Sequence, residues 1–228
     1  MGDSTALHVL ALAVLLVLPG WRRTAGRAWV VVFLATLALF MALLALPPPL
    51  PGARWNWSGG LLALAGVAWI AALLARRGVL PWQAMGFTWQ QRPGSWRAAL
   101  VVSALALSIN VLVTNLSDFR VHAVPLETWL YQATLPGLVE ECVFRGVLLA
   151  MLDRVFAGRW RVLGVSVGWG GAVVTLVFVA MHGVSAGTLL SVLPAAVLYL
   201  WLRVHTGSLV APVLVHNLWN LSVYVAHL

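Results

Sequence analysis

The chain has 228 residues, of which 62% are hydrophobic and 9% charged, with a mean hydropathy of +0.95; a soluble domain is roughly 25% charged and about 45–50% apolar. So little polar surface cannot cover a water-soluble globule, which leaves an integral membrane protein with length for about seven to nine helical spans. The net charge of +8 comes from 14 basic residues, all arginine, against six acids. They are scattered between apolar runs instead of forming a stripe, so they read as anchors facing anionic lipid and not as a nucleic-acid surface. The single cysteine, Cys142, excludes an internal disulfide framework and a cysteine-rich metal cage.

Apolar runs fall at about 5–20, 28–47, 60–75, 98–116, 126–152, 162–182, 185–202 and 208–227, each near the ~20 residues that a helix needs to cross hydrocarbon. Nothing alternates with period two over ~10-residue stretches, which speaks against a transmembrane barrel. The expected fold is an all-α polytopic bundle of about eight transmembrane helices. The first run has no basic segment before it, carries Arg22 and Arg23 after it and lacks an A-x-A cleavage pattern, so it is expected to be a retained span and not a signal peptide. Pro47, Pro48, Pro49, Pro51 and Gly52 predict a stiff extracytoplasmic loop over 47–59. The stretch 81–96 sets Trp82, Trp89 and Trp96 beside Gln90, Gln91 and Arg92, as expected of a segment lying along the cytoplasmic interface.

The loop arginines set the orientation. Arg22, Arg23, Arg27, Arg76, Arg77, Arg92, Arg97, Arg154, Arg159, Arg161 and Arg203 fall on one side of these spans, and only Arg54 and Arg120 on the other. Positive-inside counting then predicts both termini outside the cytoplasm, in the plasma (inner) membrane of a prokaryote. The notable polar residues come after position 125, which divides the chain into N-terminal spans over 1–124 and a catalytic core over 125–228, with the active site inside the last four helices.

Three charges sit within the fifth apolar run: Glu140, Glu141 and Arg145. Each costs ~2.5–3.5 kcal/mol at a helix centre on insertion scales, so together they require a reason. Glu141 and Arg145, at i and i+4, share a face and can neutralise one another. Glu140 points about 100° away and has no sequence-local partner, as suits a general base that must take up a proton. Phe178 and His182 close the sixth run, and His216 and Asn220 share a face of the eighth. Converging in a bundle, they would supply a base, a group to hold water, and donors for a developing oxyanion.

Glu-Glu-x-x-x-Arg, Phe-x-x-x-His and His-x-x-x-Asn, in that order over residues 140–220, resemble the CPBP family, which comprises the type II CAAX prenyl proteases (Rce1-like) and the ABI-domain proteins. The resemblance covers about residues 125–222. It implies a glutamate-type intramembrane endopeptidase that needs no cofactor. Glu140 would activate the attacking water, His182 would help hold it, and His216 and Asn220 would stabilise the oxyanion. Glu141 and Arg145 would be the supporting pair, with Phe178 packed beneath the site. The implied partners are the lipid bilayer and a membrane-anchored protein or peptide substrate, such as the C-terminal sorting tail of an exported protein; the place of His182 at the extracytoplasmic end of its run would suit a cavity that opens outward.

Three rivals stand beside this reading. Glu140, His182 and His216 are acceptable zinc ligands, although the chain has no H-E-x-x-H and no conspicuous fourth ligand. Gly183-Val-Ser185-Ala-Gly187 matches G-x-S-x-G, but the nucleophile elbow belongs to a strand-to-helix turn, and a turn between the sixth and seventh spans is expected here. A non-enzymatic immunity protein, scaffold or proton relay could also use intramembrane Glu, Arg and His. Among the remaining residues, Cys142 reads as a small buried filler, and His8, His122, His205 and His227 as headgroup contacts near span ends. Asp118, Glu127 and Asp153 read as interfacial or helix-end charges.

Overall fold

A computed structural model describes residues 3–22, 24–45, 52–116 and 124–225. The prolines at 47–51 and Arg23, Asp118, Arg120, His122 and His227 lie outside them. The helices are α1 (Asp3–Trp21), α2 (Thr24–Leu44), α3 (Trp57–Arg76), α4 (Ser95–Leu116), α5 (Leu126–Glu141), α6 (Leu149–Val155), α7 (Trp169–His182), α8 (Ala186–Thr206) and α9 (Val210–Val225). A π-helical segment, Cys142–Leu148, joins α5 to α6 without a break, so the described residues fold into eight helical rods. Of these, α2, α3, α4 and α8 are long and apolar enough to cross a membrane, while α1, α7 and α9 are shorter apolar helices. The architecture is that of a helical membrane protein.

The expected run at 162–182 is corrected at its start. Residues 159–168 form an antiparallel hairpin, β1 (Arg159–Val162) with β2 (Val165–Gly168), in which Arg159 pairs with Gly168 and Val162 with Val165. Leu163 and Gly164, at φ 48° and 80°, make the left-handed two-residue turn that matches strand twist. Val162, Val165 and Val167 favour strand over helix through their stiff χ1. Apolar composition alone does not separate such a run from a helix start.

The long rod from α5 to α6 carries the acidic pair, and two devices fix it. At its start, Glu127 accepts from the backbone N–H of Arg54 (3.2 Å) and Trp55 (3.3 Å) and from the Trp57 indole (3.1 Å). The residue expected to be a free helix-end charge therefore ties α5 to the entry of α3. At Pro136 the helix loses a donor, and there Asn217 of α9 clips on. Its Oδ1 accepts from Gly137 N at 2.9 Å and its Nδ2 donates to Thr134 O at 3.3 Å. A Cβ at residue 137 would run into the Asn217 amide and into Val213 O, so glycine is what lets α9 approach this closely.

One apolar core joins the two halves of the chain, with Phe33, Leu37 and Phe40 of α2 and Val67 of α3 packed in the same cluster as Val143, Phe144, Val177 and Phe178. Phe144 meets Phe40 and Phe178 edge-on at ring-centroid distances of 5.7 and 5.3 Å. The first helices, which carry no motif, thus back the rod that bears the acids. The 81–94 segment does more than lie along a surface, because it is laced to α8 and the start of α9. Arg92 N donates to Thr206 O (2.8 Å), Leu209 N to Gly86 O (3.0 Å) and Ser208 Oγ to Thr88 O (2.5 Å). Arg203, expected to be a loop anchor, lies inside α8 and is 8% exposed. Asp153 pairs with Arg159 at 3.1 Å, and His205 stacks on Trp201 at 4.4 Å.

Asn217→Leu removes the side chain that accepts from the Gly137 N–H and donates to the Thr134 carbonyl. An unsatisfied buried group costs about 1–3 kcal/mol, so melting in detergent is expected at a lower temperature. Asn217→Asp, which keeps the acceptor for Gly137, is expected to lie between that variant and wild type.

Candidate active site

The site is assembled from three rods. Glu140 and Glu141 close α5, His182 is the last residue of α7, and His216 lies in the second turn of α9. Glu140 Oε2 stands 3.7 Å from His182 Nε2 and 4.0 Å from His216 Nε2, and this oxygen has no hydrogen-bond partner among the described residues. The Glu140 side chain is 17% exposed, that of His182 32%, and that of His216 5%. His182, at the end of α7, is thus the most exposed of the three.

Glu141, the adjacent residue, faces the interior and is fully buried, as is Arg145. Its Oε1 accepts from Arg145 Nη1 at 3.2 Å and contacts His216 Nδ1 at 2.8 Å. Arg145 also donates to Ala196 O at 3.0 Å and lies over the Phe178 ring at 4.2 Å. The contact between Glu141 and His216 is absent from the sequence reading, which paired Glu141 with Arg145 alone.

Tautomers follow from these partners. The Nδ1 of His182 lies 2.9 Å from Phe178 O, and a carbonyl only accepts, so Nδ1 carries the proton and Nε2 presents a lone pair when the ring is neutral. The Nδ1 of His216 donates to a carboxylate that already holds a guanidinium, which likewise leaves Nε2 facing Glu140. Ring packing fixes both planes. Tyr199 stacks on His216 at 4.6 Å and 12°. Phe178 touches both imidazoles, at 4.6 Å from His182 and 6.0 Å from His216.

Asn220 lies one turn beyond His216 on α9, half-buried, and makes no hydrogen bond with a described residue. Its neighbour Asn217, which the sequence reading passed over, is the asparagine that holds α9 to α5; its place beside His216 was the only signal of it in the chain. Ser185 caps α8, with Oγ accepting from Thr188 N at 3.1 Å and lying 2.9 Å from Thr188 Oγ1, so its G-x-S-x-G pattern marks a helix cap. Among the described residues no group of three His, Cys, Asp or Glu side chains is arranged to hold a metal ion. Cys142 is buried and reduced.

Residues 122–222 match the family model Rce1-like, described as type II CAAX prenyl endopeptidase Rce1-like. This stretch of the chain is similar to the Rce1-like family. The Rce1-like region begins just before α5 and takes in the whole constellation of Glu140, Glu141, His182 and His216. The matched model describes a family of endopeptidases, and the matching stretch lies in a bundle that includes helices long and apolar enough to cross a membrane. Neither a curated protein nor a solved structure gives a significant match to the chain.

The two neighbouring acids are expected to differ in what they do for stability. Glu141→Gln strips the counter-charge from buried Arg145, and breaking a buried pair in this way costs about 3–5 kcal/mol. Glu140→Gln gives up no hydrogen bond at Oε2 and is expected within about 1 kcal/mol of wild type. Chemical denaturation in a neutral detergent reads both, and equal losses would contradict this division of roles.

Proposed function

We propose that the protein is an intramembrane endopeptidase that hydrolyses a peptide bond in a membrane-anchored or C-terminally tailed substrate, with Glu140 activating the water. The observation that carries this reading is the meeting of the Glu140 carboxylate with two imidazole Nε2 atoms at 3.7 and 4.0 Å, inside the Rce1-like region. Glu140 Oε2 and the lone pair of His182 Nε2 are two acceptors side by side, able to hold both protons of one water and turn its oxygen towards a carbonyl. Glu140 takes one proton as the oxygen adds to the carbonyl carbon. It then returns that proton to the departing amine as the C–N bond breaks, so atoms and charge balance.

Oxyanion stabilisation falls to His216 and Asn220. A protonated His216 keeps Nδ1–H on Glu141 and presents Nε2–H to the oxyanion, with the Glu141 carboxylate offsetting the imidazolium charge. Asn220, one turn on, has an amide with no other hydrogen bond among the described residues. The steps proposed here need no metal. Substrate entry from the α7–α8 side suits a tail that leaves the bilayer on the face opposite the arginine-rich loops. A C-terminal sorting signal on an exported protein, cleaved in the plasma membrane of a prokaryote, fits that entry.

Reconstituted protein incubated with a library of transmembrane-tailed peptides tests the reading by mass spectrometry of the products. Glu140→Gln is expected to lower cleavage by about 10²–10⁴-fold, the range for removing a general base. Asn220→Ala is expected to lower kcat by about 10²–10³-fold, as for loss of one oxyanion donor. Cleavage should survive a zinc chelator. Activity lost to chelator and restored by zinc would move the reading to a metalloprotease, and biological activity persisting in Glu140→Gln would exclude catalysis by Glu140.

A further inference from the structure

The arginine-rich end of the bundle holds a second cavity, of about 670 Å³, walled by the 83–92 segment, the end of α6, the hairpin and the last turn of α8. None of Glu140, His182 and His216 lines it. Three guanidinium groups do, from Arg92, Arg159 and Arg203, against one carboxylate, Asp153, which Arg159 Nη2 holds at 3.1 Å. Arg203 is 8% exposed, yet no carboxylate among the described residues lies within ion-pair distance of it. Its Nε donates to Arg145 O at 3.1 Å and its Nη2 to Ala84 O at 2.8 Å, leaving Nη1 without a hydrogen bond among the described residues. Arg92 spends only Nη1, on Val204 O at 2.7 Å.

Burying a cation without an anion is costly, and carbonyls satisfy its donors without cancelling its charge. A guanidinium fork with free N–H groups matches the oxygens of a phosphate, and Thr88, Gln90 and Gln91 add neutral polar groups around it. Thr88 also lines an apolar groove of about 410 Å³, with Phe87, Trp89, Leu209 and Val213. The two spaces thus set a cationic chamber beside a hydrocarbon slot on either side of one residue. We propose that the Arg92–Arg203 cavity binds a phosphate-bearing anion. The adjoining groove favours the headgroup of an anionic phospholipid over free phosphate as its source. Because Arg203 donates to the backbone of the π-helical segment at Arg145, such an anion would brace the rod that carries the two glutamates.

The full-length protein in neutral maltoside detergent is titrated with dioleoyl phosphatidylglycerol, dioleoyl phosphatidylcholine and glycerol 3-phosphate, and followed by native mass spectrometry and thermal melting. Phosphatidylglycerol is expected to bind at least about tenfold more tightly than phosphatidylcholine and to raise the melting temperature, as for one or two charge-assisted hydrogen bonds. Arg92→Gln combined with Arg159→Gln, both at exposed positions, should remove that preference while the unliganded protein melts as wild type does. Arg203→Gln should abolish it, although this change also frees Arg145 O, so the exposed pair is the deciding variant. Binding of glycerol 3-phosphate without a preference for phosphatidylglycerol keeps the anion site and assigns it to a soluble phosphate. Equal binding of both lipids with no effect of glycerol 3-phosphate, or wild-type preference in the double variant, overturns the proposal.

Discussion

A single carboxylate oxygen, Glu141 Oε1, holds the centre of this molecule together. Arg145 and His216 both converge on it, from the same rod and from α9 respectively, and it does so where no solvent reaches. In low dielectric an isolated carboxylate or guanidinium is strongly disfavoured. The two therefore have to fold as a unit, and α9 has to arrive with an imidazole in register. Tyr199, stacked on that imidazole and facing the guanidinium, adds α8 to the same constraint. Three helices are thereby locked around one charge cluster, and Glu140 emerges about 100° round the rod, towards the other nitrogen of the same His216 ring.

The division of labour between adjacent acids follows from helix geometry. Consecutive residues project about 100° apart, so one can be sealed among aromatic rings while its neighbour faces a partly accessible space lined by the two Nε2 atoms. The π-helical segment begins immediately after the pair and contains Arg145. Such segments recur at functional sites because they widen the helix locally and re-aim side chains. Here the segment is wholly buried against α2, α7 and α8, so its unusual backbone is supported from all sides.

Much of this was visible in the chain, and what was not has physical reasons. Glu140, Glu141, Arg145, His182 and His216 stood out because charge and imidazole in apolar runs are expensive, and the structure brings the five into one cluster. The π-helical segment could not be read, since side-chain periodicity presumes 3.6 residues per turn. Asn217 was passed over because its value depends on a backbone gap at Pro136, 81 positions earlier in the chain, and not on its own neighbours in sequence. Arg203 was read as a surface anchor because counting charges in loops cannot tell an arginine at a helix end from one folded beneath a neighbouring segment. The hairpin was taken for helix because its valines serve either structure equally well in an apolar count.

The brevity of α7 bears on the lipid around the protein. Fourteen residues at ~1.5 Å rise amount to about 21 Å, well short of the ~30 Å hydrocarbon slab. If α7 starts at one face of the hydrocarbon, its last residue, His182, ends at a depth where lipid tails would otherwise close over it. The bilayer must pinch inward beside α7, or water must follow the α7–α8 turn down to meet it. In either case the membrane's thickness becomes a variable that the cluster feels, and a thick bilayer should leave the Glu140 carboxylate drier and less reachable than a thin one.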